Sequence, residues 1–275
     1  MSQALLKAAV LGSPITHSLS PFIHNTAYKL LDIEGEYQAI EVKAGGLAAF
    51  LQQAEKDHFK GFSVTMPLKE EATGIASALD PQAALAQSVN TLIRNENGWR
   101  GFNTDITGIK TLISDLGYIE GGKGTVAILG AGGTSRAALA AVSDFKEKRV
   151  FRRSSARDAA LRTIDSSVEI VDWDALDSPF DCDLLISTVP AGAIDIEKFG
   201  LRMDSAIDAI YSPWPPPLTG YCLRNEIPVA TGIDLLLAQA MEQIRLMTQT
   251  AFDSNRLRGE IGALLKQTHD FPQAK

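Results

Sequence analysis

The sequence predicts an α/β protein built from two successive units, and three observations carry this. Strand-like and helix-like segments alternate from one end of the chain to the other. The first third reads as an α/β unit by itself. The continuous apolar run Val126–Leu129 then opens a second series, with the pattern of a parallel strand covered on both faces.

Taken in order, Ala8–Leu11 reads as a buried strand ending at Gly12, and a loop rich in Ser, Thr and Pro follows. Phe22–Leu31 has helical spacing, with Pro21 suited to the first turn, where its missing N–H has no partner to lose. Tyr37–Val42 alternates like a strand, Leu47–Ala54 is helical, and Gly61–Thr65 enters a strand that must stop before Pro67. Val89–Arg94 and Trp99–Phe102 flank Asn97-Gly98, a strong hairpin signal. The second series starts at the glycine-rich Gly121–Gly124. Beyond Val126–Leu129 its strands are expected at Arg149–Phe151, Val168–Val171, Leu184–Ser187 and Ala206–Ala209, the alternation of a doubly wound sheet. Helices from about Ile233 to Thr250 and from about Asp253 to Lys266 end the chain.

Composition narrows the function classes. Of 275 residues, 45% are hydrophobic and 21% charged, as in an ordinary packed globular protein. The formal net charge of −7 argues against nucleic acid as a partner, which needs a basic face to offset phosphates. Cys182 and Cys222 are the only cysteines and lack metal or redox spacing. His17, His24, His58 and His269 form no metal-ligand motif. The amino terminus lacks the pattern of a secretion signal, and the longest aliphatic run, Leu235–Ala238, is far short of the ~20 residues that span a bilayer. The expectation is a soluble, reduced, cytoplasmic protein without metal or membrane contact.

The clearest chemical signal is Gly130-Ala131-Gly132-Gly133-Thr134-Ser135, between an apolar strand and an alanine-rich helix. Glycines there permit a tight turn and close backbone approach to a pyrophosphate, whose charge sits at the helix N-terminus. Ser135 replaces the third glycine of the general fingerprint, so a ligand-free strand–helix turn remains an alternative reading. At the end of the next strand an NAD site usually carries an acid for the ribose hydroxyls. This chain has Arg152-Arg153-Ser154 instead. Guanidinium groups suit a 2′-phosphate, which points to NADP(H), although an exposed basic loop would look the same.

Several separated motifs then share an order that resembles the shikimate dehydrogenase family over nearly the whole chain. They are Gly12–Pro21 followed by His24-Asn25, Ser63–Glu71, Val89-Asn90-Thr91, Gly101–Gly108, Ile210–Leu218 and Thr231–Gln239. The resemblance implies an N-terminal α/β substrate domain (1–106, with helices 237–275 returning to it) and a Rossmann-like dinucleotide domain (107–236). It also implies NADPH-dependent reduction of the ketone of 3-dehydroshikimate, in a monomer or homodimer.

By the same resemblance Ser18 and Ser20 bind the substrate carboxylate; two neutral hydroxyls one residue apart can both donate to it, although Ser20 could equally cap the helix behind it. Lys69 and Asp105 match the catalytic pair. From the residues alone, Lys69 could be a solvated charge at a helix start and Asp105 a helix cap. Thr65, Asn90, Tyr211 and Gln239 match substrate contacts. Thr188 and Gly232 join Gly130–Ser135 and Arg152–Ser154 on the cofactor side. Three positions and one stretch depart from the family's usual residues: Ser63 for Asn, Pro216 for Thr, Asp234 for Gly, and Ser187–Gly192 for the usual stretch near the nicotinamide. The nearest rival is an NAD-dependent quinate/shikimate dehydrogenase, and a more distant one is a nucleotide-binding sensor without turnover.

Overall fold

A computed structural model describes residues 5–118, 124–177, 180–193, 195–198 and 201–268. Met1–Ala4, Gly121–Lys123 of the glycine-rich stretch, and His269 lie outside them. Two compact units emerge. One takes the described residues up to Thr104 together with those from Leu237 onward, and the other takes Asp105–Leu236.

The first unit contains β1 (Leu6–Gly12), α1 (Ser20–Leu30), β2 (Gly35–Glu41), α2 (Leu47–Lys56), β3 (Gly61–Val64), α3 (Lys69–Ile75), β4 (Ala78–Leu79), α4 (Pro81–Ala86), β5 (Thr91–Asn95) and β6 (Gly98–Phe102). They form a six-stranded mixed sheet in the order β2-β1-β3-β5-β6-β4. β1 lies parallel to both β2 and β3, and β5 runs antiparallel to β3 and β6. The central β3 is buried at every position, whereas the edge strand β2 is mostly open to solvent with Tyr37 turned inward. Phe62 anchors one face, its ring 5.0 Å from those of Phe59 and Trp99 and 5.4 Å from that of Phe50. Truncating so buried an aromatic to alanine typically costs about 3–5 kcal/mol.

Two local expectations need adjustment. The hairpin joins β5 and β6, but Asn95 pairs with Gly98, so Glu96-Asn97 makes the turn. The Asn95 side chain accepts the Asn97 N–H (3.0 Å), and Gly98 follows with φ +115°, a conformation open to glycine. The short α4 was not among the expected helices, yet its start is written in the sequence. Asp80 accepts the N–H groups of Ala83 (2.9 Å) and Gln82, and Pro81 follows at the first position.

The second unit contains β7 (Thr125–Leu129), α6 (Gly133–Ala141), β8 (Glu147–Arg152), α7 (Asp158–Ile164), β9 (Glu169–Asp172), β10 (Phe180–Ser187), β11 (Leu201–Asp208), α8 (Pro217–Arg224) and β12 (Val229–Ala230). All pair in parallel, in the order β12-β11-β10-β7-β8-β9. Counted from β7, this is the doubly wound order of a Rossmann sheet, whose strand order reverses at β7. β7 and the end of β10 are buried on both faces, as their apolar runs require. Register brings Leu129 beside both Phe151 and Ser187, so the carboxyl ends of β7, β8 and β10 lie side by side.

The chain passes between the units inside two helices, α5 (Thr104–Asp115) and α9 (Gly232–Thr248). The last helix, α10 (Ser254–Thr268), packs on α1. No helix among the described residues is long and apolar enough to cross a membrane.

Candidate active site

In the first unit the predicted residues gather at the carboxyl ends of β1 and β3. β1 ends at Gly12, where a Cβ would fall 2.4 Å from the Thr65 methyl and 2.9 Å from the Met66 carbonyl. Only glycine lets the loop after β1, which carries Ser18 and Ser20, lie against the turn after β3. Ser13 N–H donates to the Met66 carbonyl (3.1 Å), and Thr65 N–H to the Leu11 carbonyl (2.9 Å). Ser20 is buried and opens α1 without capping it; the Ser18 hydroxyl instead accepts the Ser20 N–H (3.3 Å). Lys69 is half-buried at the first position of α3, and its carbonyl accepts from the Thr73 hydroxyl (2.9 Å) and the Val89 N–H.

Behind these residues lies a buried polar network. The Tyr37 hydroxyl donates to Ser63 (2.5 Å), and Ser63 donates to the Gln243 side-chain oxygen (2.7 Å). The Gln243 amide donates to the Thr91 hydroxyl (3.0 Å), which donates to Asn90 Oδ1 (2.9 Å). Asn90 Oδ1 also accepts the Thr104 N–H (2.8 Å) at the start of α5, while the Asn90 amide donates to the Thr104 hydroxyl (3.0 Å). That hydroxyl lies 3.2 Å from Gln239 Oε1. Asn90 and Gln239 are thus brought together, each at most 6% exposed. The network also explains the short side chain at position 63. Gln243 of α9 fills the room beside Ser63 and answers its hydroxyl. Gln243 and Tyr37 were missed in the sequence because a polar residue on an apolar helix face and a strand tyrosine give no local sign that they meet.

His24 stacks on Tyr37 (centroids 3.9 Å apart) and bonds Gln243 through Nε2 (3.3 Å). Burial pushes its imidazole down to about 3, against the opposing pull of the Gln243 bond. The unfolded chain protonates it near 6.5, so the unfolded state holds more protons below that pH. This contribution is present above 6.5 and is lost as pH falls towards 3. It amounts to at most about 1.4 kcal/mol per pH unit. His24→Gln is therefore expected to flatten the fall of Tm between pH 6.5 and 4.5. Parallel Tm curves for the two proteins would show that His24 does not carry this dependence.

In the second unit Asp105 is buried in the first turn of α5, directly after Thr104. It sits inside the helix, so the cap role is excluded; the first N–H is taken by Asn90. The glycine turn follows β7. Gly130 has φ +110°, and a Cβ there would meet Thr188 Oγ1 at 2.7 Å and Ser135 Oγ at 2.8 Å. These hydroxyls bond each other (2.5 Å), and Thr188 donates to the Leu129 carbonyl (2.9 Å). Ser135 and Thr188 thereby lock the turn that the third glycine would otherwise shape. Gly132 caps α6 with no side chain over it, and a Cβ at Gly132 would meet nothing within 4 Å. An open glycine turn at an uncapped helix start fits a pyrophosphate. Arg136, buried in α6, reaches back to the Ala131 carbonyl (3.4 Å). Its only sequence signal is a charge inside an alanine-rich helix.

The two arginines after β8 part ways. Arg152 grips Asp158 with two bonds (2.8 and 2.9 Å) and also bonds Asp172. Arg153 is exposed, stacks over Trp173 (5.0 Å) and gives one N–H to the Ala193 carbonyl (3.3 Å). Ser154 caps the following turn by accepting the Ala156 N–H.

Tyr211 is half-buried beside Gly232, whose Cβ would lie 2.4 Å from the Ile210 carbonyl and 2.9 Å from the Tyr211 nitrogen. Pro216 is the N-cap residue of α8, and the buried Asp208 of β11 accepts the Thr219 N–H (3.2 Å) and hydroxyl (2.9 Å). Burial raises the Asp208 carboxyl to about 6, against the lowering effect of those bonds. Asp234 accepts the Thr231 N–H (2.8 Å) and hydroxyl (2.7 Å), and its own N–H returns to the Thr231 oxygen, a capping box that gives this departure a structural purpose. Among the described residues no group of His, Cys, Asp and Glu could hold a metal ion.

The doubly wound parallel sheet with its glycine turn, joined to a mixed-sheet unit that carries fixed polar side chains, defines a two-unit α/β protein with a dinucleotide-binding fold. Residues 10–92 match the family model described as the shikimate dehydrogenase substrate binding domain. The chain is 34% identical over 251 residues to a shikimate dehydrogenase (NADP(+)) of Aeropyrum pernix, covering 87% of this chain and 90% of that protein. It is 33% identical over 253 residues to one of Mesorhizobium japonicum, covering 88% and 90%. The crystal structure of Mycobacterium tuberculosis shikimate dehydrogenase is similar with a TM-score of 0.81 at 31% identity, over 94% of this chain and 99% of that one. A Thermus thermophilus shikimate 5-dehydrogenase, solved with NADP(H) and shikimate, gives 0.78 at 28% identity, over 94% and 99%. The chain belongs to the shikimate dehydrogenase family.

Proposed function

We propose that this protein is an NADP-dependent shikimate dehydrogenase, reversibly reducing 3-dehydroshikimate to shikimate on the route to aromatic amino acids in the cytoplasm. The observation that carries the reading is the buried Asn90–Thr104–Gln239 cluster immediately preceding Asp105, in the unit that also holds Ser18, Ser20, Thr65 and Lys69. That unit is the substrate domain of this proposal, and the doubly wound unit is the cofactor domain.

Ser18 and Ser20 donate to the substrate carboxylate, and Asn90, Thr65, Gln239 and Tyr211 hold its hydroxyls. Fixed dipoles of this kind bind a polyhydroxy acid without the reorganisation that loose side chains would need. Gly130–Ser135 cradles the pyrophosphate at the α6 N-terminus, Arg153 and Ser154 face the 2′-phosphate beside Arg152, whose guanidinium is bonded to Asp158 and Asp172, and Thr188 and Gly232 shape the nicotinamide end. The bound cofactor supplies a hydride equivalent for the carbonyl carbon. Negative charge then develops on the carbonyl oxygen, where Lys69 stabilises it and delivers a proton. Asp105 orients Lys69 and the adjacent substrate hydroxyl.

The test is NADP⁺ and NAD⁺ reduction followed at 340 nm with shikimate and with quinate. Turnover of shikimate with NADP⁺ above the other three combinations is expected. Preference for quinate with NAD⁺ would overturn the substrate and cofactor reading, and NADPH binding without turnover would favour a sensor.

A further inference from the structure

Arg152 and Arg153 are adjacent in sequence and both positive, yet the structure gives them different electrostatic surroundings. The Arg152 guanidinium has a partner for each of its three nitrogens. Nε and Nη2 bond the two Asp158 oxygens at 2.8 and 2.9 Å, and Nη1 bonds Asp172. Asp158 is in the first turn of α7 and Asp172 is the last residue of β9, so one guanidinium ties three elements together. Its side chain is 12% exposed, while that of Asp172 is 81% exposed. The Arg152 guanidinium holds the Asp158 carboxyl below the usual carboxylate range, so it is ionised at neutral pH. At the strand end where a 2′-phosphate would approach, two carboxylates therefore face the Arg152 guanidinium, and Arg162 also acts on Asp158. Arg153 has no carboxylate partner among the described residues. It lies on the Trp173 ring with one N–H on the Ala193 carbonyl.

We propose that Asp158 and Asp172 are specificity-determining residues for the cofactor: by occupying Arg152 they leave Arg153 to recognise the 2′-phosphate and hold the NADP preference below what two available arginines would give. This rests on the NADP(H) reading of the glycine turn. A bidentate guanidinium–carboxylate pair is strong and geometrically exacting, so Arg152 can serve a phosphate only by giving up bonds it already makes. The remaining carboxylate of Asp172 adds repulsion towards an incoming dianion. NADH lacks that phosphate and is indifferent to both effects.

The experiment is a fluorescence titration of the full chain with NADPH and with NADH, without substrate, for the wild type, Asp158→Asn, Asp172→Asn and Asp158→Asn/Arg152→Leu. Each single asparagine variant should tighten NADPH by roughly three- to tenfold, the scale of one unit charge acting on a surface dianion, with NADH unchanged. In the double variant the gain should fall below that of Asp158→Asn, because the part that acts through the released Arg152 is lost. Asp172→Asn, at an exposed strand end, keeps the test open if Asp158→Asn weakens the start of α7. No gain in either single variant, or a gain as large in the double variant as in Asp158→Asn, overturns the proposal. Arg153→Leu separates the two levels of inference. Loss of NADPH affinity there, with NADH retained, upholds the cofactor reading whatever the aspartates do. Equal binding of NADPH and NADH by both wild type and Arg153→Leu overturns that reading and the proposal with it.

Discussion

Replacing Lys69 with alanine is expected to lower kcat for 3-dehydroshikimate reduction by about 10²–10⁴-fold, the usual contribution of a positioned proton donor. The backbone around Lys69 does not depend on its side chain. Its carbonyl is held by the Thr73 hydroxyl and the Val89 N–H, and Leu68 beside it is fully buried. Tm and NADPH affinity should therefore be preserved, with the loss falling on kcat far more than on KM, since the interaction strengthens as charge develops on the carbonyl oxygen. Asp105→Asn should also lower kcat, because an amide keeps the size of the buried side chain but removes the charge that the proposed role requires. A Lys69→Ala enzyme that kept wild-type kcat would remove Lys69 from the chemistry.

Gly232→Ala is expected to be the most damaging single-methyl change. The added Cβ would fall 2.4 Å from both the carbon and the oxygen of the Ile210 carbonyl, and backbone cannot swing aside as a side chain can. Overpacking of this sort costs about 1–3 kcal/mol. The strain falls on the peptide that carries Tyr211, so substrate affinity should drop together with thermal stability. Gly132→Ala provides the contrast. Its Cβ meets nothing within 4 Å, so Tm should hold while NADPH affinity falls, because the open space is what a pyrophosphate would enter. A Gly232→Ala protein with unaltered Tm would show that the Ile210–Tyr211 segment relaxes freely.

Much of this was legible from local rules. The parallel strands declare themselves as apolar runs, the glycine turn by its place between strand and helix, and α4 by Asp80-Pro81. What was not legible depended on partners distant in the chain. Asp105 and Ser20 each look like a helix cap, and only the structure shows that neither is one: Asn90 takes the first α5 N–H, and Ser18 takes that of Ser20. Ser63 and Asp234 look like anomalies until Gln243 and Thr231 are seen to answer them.

The sequence by itself determined the α/β class, the position of the nucleotide turn and the family, because these rest on periodicity, glycine placement and motif order, all short-range properties of a chain. The tertiary structure alone decided which polar groups meet. Arg152 and Arg153 make the point. The sequence shows two equivalent charges, and the fold brings Asp158 and Asp172 to one of them and Trp173 to the other. An ion pair is set by distance in space, which residue order does not record.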